Sequence, residues 1–483
     1  MPFVTPGAGP CGTGDAHAPG WVRHGRTATS RVVGGGFAGY HALRRLRRLL
    51  PERDTELVLV TPNDYLLYTP LLPEVAAGTI EPRHIAIALR PALPGVRLVL
   101  ARAVAVDTGR RTVALDRPVA AAEGPEGRDE LRWDRLVLVP GSVTRQFPIS
   151  GLSENAHALK TLVEAVYLRD HLLVQLDLAD ACPPTAAGDR ERRRLLTVVA
   201  VGAGYTGTEY VAQAQLWLRR LEGRWDRTKS DDVRWILADL APAVLPELGG
   251  RLGRYALDVL RRRGVDVRLG TTVSSVGPDS VALTDGTVVE TRTVIWGAGV
   301  APNPLVGTVG APLDRGRLVV DATLRVPSVP GVWAAGDAAA VPDLTARPAG
   351  GAGPTMLPPT AQHAQRQGRI LARNVAASYG KGRPRAYRHR DLGLVADLGG
   401  TAAVARPLGV PLTGRPAKAL ARAYHLYALP EASSRLRVLT DWALGAVLAP
   451  QEAQLGLAAR RDALIPAAQL GAGTVDGQRA ASP

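Results

Sequence analysis

LLTVVAVGAGYTGTE, Leu195 to Glu209, reads as a strand, a glycine turn and the start of a helix. The apolar run Val198, Val199, Ala200 and Val201 enters the turn, and helix-compatible residues leave it. The three glycines have separate physical tasks. Gly202 turns the chain, Gly204 lets backbone amides approach a pyrophosphate, and Gly207 lets the helix pack close to the sheet, with positive potential at the helix N-terminus. A dinucleotide is the expected ligand. With 52 glycines in 483 residues, such a triplet arises by chance roughly 0.6 times, so context decides. Gly7, Gly9 and Gly12 also fit the spacing but lack a preceding strand and a following helix, and are read as chance. Gly34, Gly36 and Gly39, with Phe37 and Ala38 between them, have both.

Two such units predict an α/β fold with two Rossmann-like dinucleotide-binding domains. They are unequal. Only Val32 and Val33 are apolar before Gly34, so the first strand must borrow Thr27 to Arg31. The next strand, Glu56 to Val60, ends at Thr61, where an acid would normally hold an adenosine ribose. The second unit has that acid: Asp239 closes the strand Val233 to Leu237, suited to accept from both ribose hydroxyls and unfavourable toward a 2′-phosphate. NADH is therefore expected over NADPH, with EGRWDRTKSDD as an insertion or long loop.

Between these units, Thr61 to Ile85 is too apolar for an ordinary surface loop and either packs between domains or serves the site. Arg97 to Val106 and Arg111 to Leu115 read as short strands, and Arg117 to Glu130 as a hairpin tip. Leu136 to Val139 is a buried strand closed by Pro140, Gly141 and Ser142, a turn that passes close to a cofactor or simply turns. Ala158 to Leu176 has helical spacing, followed by a connector over Asp180 to Arg194. Further on come a helix over Leu252 to Arg263, a strand over Val265 to Leu269, a hairpin at Asp285–Gly286, and the strand Thr293 to Trp296. After that strand, Gly297 to Val300, including Gly299, turns again. Asp337 follows the short strand in GVWAAGD, either capping a helix or accepting hydrogen bonds from a cofactor. Pro358 to Asn374 forms a helix with Thr360 as N-cap, placing Gln362 and Arg366 one turn apart on one face.

The net charge of +15 fits an anionic membrane surface or an arginine-rich proteome. No nucleic-acid module accompanies it, so no nucleic acid is expected. Cys11 and Cys182 are too few and too far apart for a disulfide framework, a cysteine metal site or a redox pair; no metal is expected. No apolar run of about 18 residues spans a membrane, and the N-terminus lacks signal-peptide features, so a cytoplasmic protein is expected. Ala417 to Leu429 is amphipathic, with Leu420, Tyr424 and Tyr427 on one side and Lys418, Arg422 and His425 on another; Arg435, Arg437 and Trp442 continue the pattern. That suits an in-plane membrane anchor, with packing on the body or a homodimer contact as the alternatives.

GGGFAG at Gly34, YTPLLPEVAAGTIEPRHI at Tyr68, ALKT at Ala158, VGAGYTGTE at Val201, WGAGV at Trp296, GVWAAGD at Gly331 and PPTAQHAQRQG at Pro358 together resemble the type II NADH dehydrogenases. The resemblance implies FAD in a discontinuous first domain, NADH in the second, and a quinone reached from the inner face of the cell membrane. It implies that Gly34, Gly36 and Gly39 hold FAD pyrophosphate, Pro70 and Leu71 lie near the isoalloxazine, and Asp337 binds FAD. Gly202, Gly204, Gly207 and Asp239 would hold NADH, with Glu209 beside the nicotinamide and Gln362 near flavin and quinone. Arg366 stands where the family often has a second glutamine. The expected organisation is an extension over 1–30, an FAD-binding domain over 31–155 and 312–385, an NADH-binding domain over 156–311, a membrane-association region over 386–462 and a flexible tail over 463–483. The alternatives are a soluble electron acceptor, or a degenerate, non-catalytic nucleotide-binding protein suggested by the short first strand.

Overall fold

A computed structural model describes residues 28–116, 128–346, 355–389 and 392–465. The short apolar run before Gly34 is extended backwards: β1 is Ala28–Val33, with Ser30 and Arg31 buried in it. Each polar group there has a partner. Thr29 donates from its amide and hydroxyl to Asp134 Oδ2 at 2.7 and 3.1 Å, and Ser30 Oγ meets the Tyr379 hydroxyl at 2.9 Å. The Arg31 guanidinium donates to Glu56 Oε2 at 3.1 Å and to the Arg132 carbonyl at 3.0 Å. Paired this way, a polar strand start is tolerable inside a core. Residues 28–30, expected in the extension, therefore belong to the sheet; residues 1–27 lie outside the described residues. Helix α1 (Phe37–Leu49) follows, then β2 (Thr55–Thr61), the short helix α2 (Leu72–Ala76), β3 (Arg97–Leu100) and β4 (Arg135–Leu138). These strands are parallel in the order β4-β1-β2-β3.

The second sheet is built from β5 (Ala156–Ala158), β6 (Thr197–Val201), β7 (Arg234–Asp239), β8 (Asp266–Leu269) and β9 (Thr293–Trp296), all parallel, in the order β5-β9-β6-β7-β8. The chain then returns to the first sheet as β10 (Val332–Ala334), which pairs with β4. Both sheets thus have five strands with the glycine-turn strand at the centre. An antiparallel ribbon, Ser142–Thr144 against Val300–Pro302, joins the crossings between them.

Several boundaries differ from expectation. The helix expected from Ala158 is α3 (Leu162–Asp180), because Ala158 ends β5 and Thr161 caps the helix in a box with Glu164. The expected connector contains α4 (Ala186–Leu195), capped by Thr185. Arg97 to Val106 is two strands, β3 and Arg102–Asp107, the latter pairing with Thr112–Asp116. The hairpin tip is shorter than expected. Arg128–Arg132 is a strand, and 117–127 lie outside the described residues. Helix α5 (Tyr205–Arg219) ends before the loop EGRWDRTKSDD, which docks on α3 through Trp225 Nε1 to Asp177 at 2.7 Å. Helix α6 (Gly250–Arg262) precedes β8 as expected.

Helix α7 (Ala361–Ala377) starts as read, with Thr360 Oγ1 accepting from the His363 amide at 3.2 Å. It packs on α1 at Gly368, where a Cβ would lie 2.3 Å from the Ala38 carbonyl oxygen. The chain continues through β11 (Val395–Asp397), α8 (Gly414–Ala428) and α9 (Ala432–Val447). Beyond α9, Leu455 and Gly456 amides donate to Asp170 Oδ2, both at 2.9 Å, strapping the chain along α3. Ala463 and Ile465, expected in the tail, are fully buried; residues 466–483 lie outside the described residues.

Candidate functional site

Both glycine turns have the geometry their residues imply. Gly34 and Gly202 take φ of +116° and +107°, where a side chain would collide with the backbone of Val139 or Gly297. Gly39 and Gly207 sit so close to the turn that a Cβ would lie 1.9 and 2.0 Å from the carbonyl oxygens of Gly34 and Gly202. Gly36 and Gly204 face open space, and neither α1 nor α5 has a side-chain cap, so their first-turn amides remain available to an anion. Gly141 (φ +75°) and Gly299 (φ +101°) also border open space.

Asp337 sits in a 3-10 turn, Gly336–Ala338, and caps no helix. Its Oδ2 accepts from Ser142 Oγ at 2.5 Å, and Lys160 Nζ donates to the same hydroxyl at 3.0 Å. Desolvation pulls the Lys160 ammonium below the ordinary lysine range against the fields of Asp337 and Glu164. Gly336 lies against Ala38, so Asp337 is brought to the first glycine turn. Phe37 meets Tyr68 edge-on at 5.8 Å, and Leu71 is buried beside the half-buried Pro70. Thr61 is buried against Gly35 at the end of β2. These residues fit a dinucleotide: the turn, the uncapped helix and the carboxylate converge on one cradle.

In the second unit, Asp239 does more than end a strand. Its carboxylate accepts from the backbone amides of Ala203 and, at 2.6 Å, Ala241, bracing the glycine turn from the neighbouring strand.

Glu209 is buried, not solvated. Its Oε1 accepts from the Asp397 amide at 2.8 Å, and burial pushes its carboxyl well above the usual range. Around it lies a cluster that the sequence reading missed. Asp397 holds Lys418 Nζ at 2.6 and 2.5 Å; Glu74 on α2 accepts from Trp442 Nε1 at 2.7 Å; and Tyr68 meets His425 Nδ1 at 3.1 Å. Burial, then the Asp397 charge, raises Glu74 to about 7, and burial lowers His425 to about 4. The signals were present: a glutamate inside the apolar PLLPEVAAG, and an aspartate inside the apolar GLVADLGG. The segment Thr61 to Ile85 packs α2 against α3 and α5 and brings Tyr68 and Glu74 into this cluster.

Gln362 Nε2 donates to the Gly393 carbonyl at 2.9 Å, and Arg366 donates to Gln362 Oε1 at 3.3 Å, so the two do share a face. Gln362, Leu394, Leu420 and Tyr424 line a small cavity of about 50 Å³. Residues 393–397 are thus held at one end by Gln362 and at the other by Glu209.

The expected polar face of α8 is inverted. Lys418 and His425 point into the protein because each has a buried partner, and Trp442 is buried on Glu74 with Arg422 stacked 5.0 Å over its ring. Tyr427 on α8 is 78% exposed, and α9 adds further apolar exposure at Leu436, Leu439, Leu444 and Val447, the last 84% exposed. No helix among the described residues is long and apolar enough to cross a membrane.

A family model for pyridine nucleotide-disulphide oxidoreductases matches residues 30–368. The chain is 30% identical over 441 residues to the internal alternative NAD(P)H-ubiquinone oxidoreductase A1, mitochondrial, of Solanum tuberosum, with 85% of each covered. It is 29% identical over 428 residues to the type II NADH:quinone oxidoreductase Ndh of Mycobacterium tuberculosis, again with 85% of each covered. NDH2 from Plasmodium falciparum, solved in complex with NADH, superposes with a TM-score of 0.79 at 17% identity, covering 89% of this chain and 100% of that one. A sulfide:quinone oxidoreductase from Aquifex aeolicus shares the fold with a TM-score of 0.64 at 19% identity, over 88% and 96% of the two chains. The chain therefore belongs to the pyridine nucleotide-disulphide oxidoreductases, on the branch of the alternative, type II NAD(P)H:quinone oxidoreductases.

Proposed function

We propose that this protein oxidises NADH through FAD and delivers the electrons to a membrane quinone without pumping protons. The observation that carries the reading is the pair of uncapped glycine turns in one chain, with residues 393–397 tied to Gln362 on one side and Glu209 on the other. Bound FAD supplies hydride acceptance from NADH and electron delivery to the quinone.

Gly34, Gly36, Gly39 and the first-turn amides of Phe37, Ala38 and Gly39 would hold the FAD pyrophosphate. Asp337, with Ser142 and Lys160, would accept from the ribitol side; Gly141 leaves room for it, and Pro70 and Leu71 would border the ring. Gly202, Gly204, Gly207 and Gly299 would hold NADH, with Asp239 selecting against a 2′-phosphate while bracing the turn. The complete, fully paired β1 removes the basis for a degenerate first unit. Gln362, Arg366 and Tyr424 would position the quinone. Reducing a quinone with NADH consumes one proton beyond the hydride, and Glu209 is a buried acid whose carboxyl burial pushes well above the usual range, suited to hold that proton. The exposed apolar side of α9 is the surface that would lie in the membrane interface, with exposed Arg435 and Arg437 on the same helix near anionic headgroups.

The test is a visible spectrum of the purified protein, followed by anaerobic NADH and then a quinone analogue. A flavin spectrum bleached by NADH and restored by quinone is expected. No bleaching would remove the oxidoreductase reading, and bleaching without quinone reoxidation would move it to a soluble acceptor.

A further inference from the structure

A cleft of about 500 Å³ on the outer side of α1 and α7 is lined by six arginines: Arg45 on α1, Arg366, Arg369 and Arg373 on α7, and Arg385 and Arg388 on the loop that follows. The spacing of three and four along α7 puts its three guanidiniums on one face. Among the described lining residues none is an aspartate or glutamate. Arg45, Arg369, Arg373, Arg385 and Arg388 have no ion-pair partner among the described residues. The Arg45 Nε is buried without a hydrogen-bond acceptor.

Elsewhere some arginines share carboxylates closely, as Arg190 and Arg194 do at Glu290, or Arg234 and Arg268 at Asp266. The cleft gathers its arginines in one place, and their positive field is felt nearby. The buried His41 imidazole is pushed down to about 3, first by burial and then by Arg369 and Arg44.

Guanidinium forks match phosphate oxygens in pairs, and several of them around one cleft favour an anion of more than one charge. Arg45 lies ~12 Å along α1 from its N-terminus, so the cleft is distinct from the glycine turn that faces FAD. We propose that this arginine cleft binds a ligand carrying two or more phosphate groups, either an anionic phospholipid headgroup or a free polyphosphate. Arg366 belongs both to the cleft and to the Gln362 pair, so the ligand would sit one helical turn from the small cavity beside Tyr424. The proposal goes beyond the quinone reading and stands without it.

The test compares the full chain, the triple variant R369Q/R373Q/R385Q and the charge-matched control R251Q/R261Q/R262Q, whose exposed arginines lie on α6. Each is titrated with inorganic pyrophosphate, with vesicles of diphosphatidylglycerol in phosphatidylcholine, and with phosphatidylcholine vesicles alone. A tenfold or greater loss of binding is expected in the cleft variant and not in the control. Loss confined to the vesicle arm identifies a lipid headgroup, and loss with pyrophosphate identifies a soluble phosphate. Equal loss in both variants would reduce the effect to diffuse charge and overturn the proposal, as would no loss in either. Relief of repulsion should leave the cleft variant melting no lower than the parent; an earlier melt would show that the arginines have structural partners, and would also overturn it.

Discussion

Glu74 is a carboxyl whose pKa rises from an ordinary 4.5 to about 7 on folding, because α2 is buried under α9 and faces the Asp397 charge. A group raised in this direction contributes stability that is fully present below 4.5 and is lost as pH rises through 7. The glutamine variant E74Q keeps an oxygen for Trp442 and has no proton to lose. Its melting temperature relative to the parent should therefore climb between pH 5 and pH 8, by the equivalent of ~3 kcal/mol at most; a flat difference would show that Glu74 is ionised at neutral pH. Glu209 allows a complementary experiment. The amide in E209Q still accepts from the Asp397 N–H, so its stability should stay near the parent while turnover with quinone falls about a hundredfold. The alanine variant E209A leaves that buried N–H unpaired and should in addition lose ~1–3 kcal/mol in a denaturant titration. Glu209 stands out through its place in VGAGYTGTE, but its burial is not legible there. A single carboxylate two residues after Gly207 gives no sign of Asp397 arriving from 188 residues further along.

Helix α7 shows how much one element can disclose. Pro358, Pro359 and Thr360 mark its start, and the i, i+4 spacing places Gln362 and Arg366 together; both features are local, and both are found. What no local pattern gives is the crossing with α1. Gly368 is the contact that lets the two helices touch, so a methyl group there must push the Ala38 carbonyl aside. The variant G368A should lose ~1–3 kcal/mol in thermal melting and release FAD more readily on gel filtration, since α1 carries the first glycine turn. Helix α8 shows the opposite limit. Hydropathy ranks Lys418 and His425 as solvent-seeking, yet the face they define is turned inward, because Asp397 and Tyr68 supply partners from distant segments. A buried, paired lysine and a solvated one are identical letters.

Across the whole molecule, the two glycine turns were enough to foresee two parallel α/β sheets, since each turn requires a strand before and a helix after it. The common placement of the central strand, the ribbon joining the crossings and the strap along α3 depend on contacts between segments far apart in sequence, and only the folded chain reveals them. The outward apolar surface is likewise a property of the assembled protein. With Trp442 and Val438 spent on the interior, α9 leaves Leu436 and Val447 on the outside. At ~1.5–3 kcal/mol for each side chain removed from water, the variant L436E/V447E should bind vesicles on the order of a hundredfold more weakly. Its flavin should still be bleached by NADH in solution. Vesicle sedimentation decides the first point, and unchanged partitioning would place the membrane face elsewhere.

The hydrogen bond from Trp442 to Glu74 also bears on how the protein can be engineered. A helix that touches lipid is the usual segment to delete when a soluble, crystallisable version is wanted. Here the same helix roofs an acid in the interior, so cutting the chain before α9 would flood that acid with water. If the outward side of α9 is the membrane face proposed above, solubility must be sought by redecorating its outward positions, because the exposed apolar residues and the cover over Glu74 share one piece of chain.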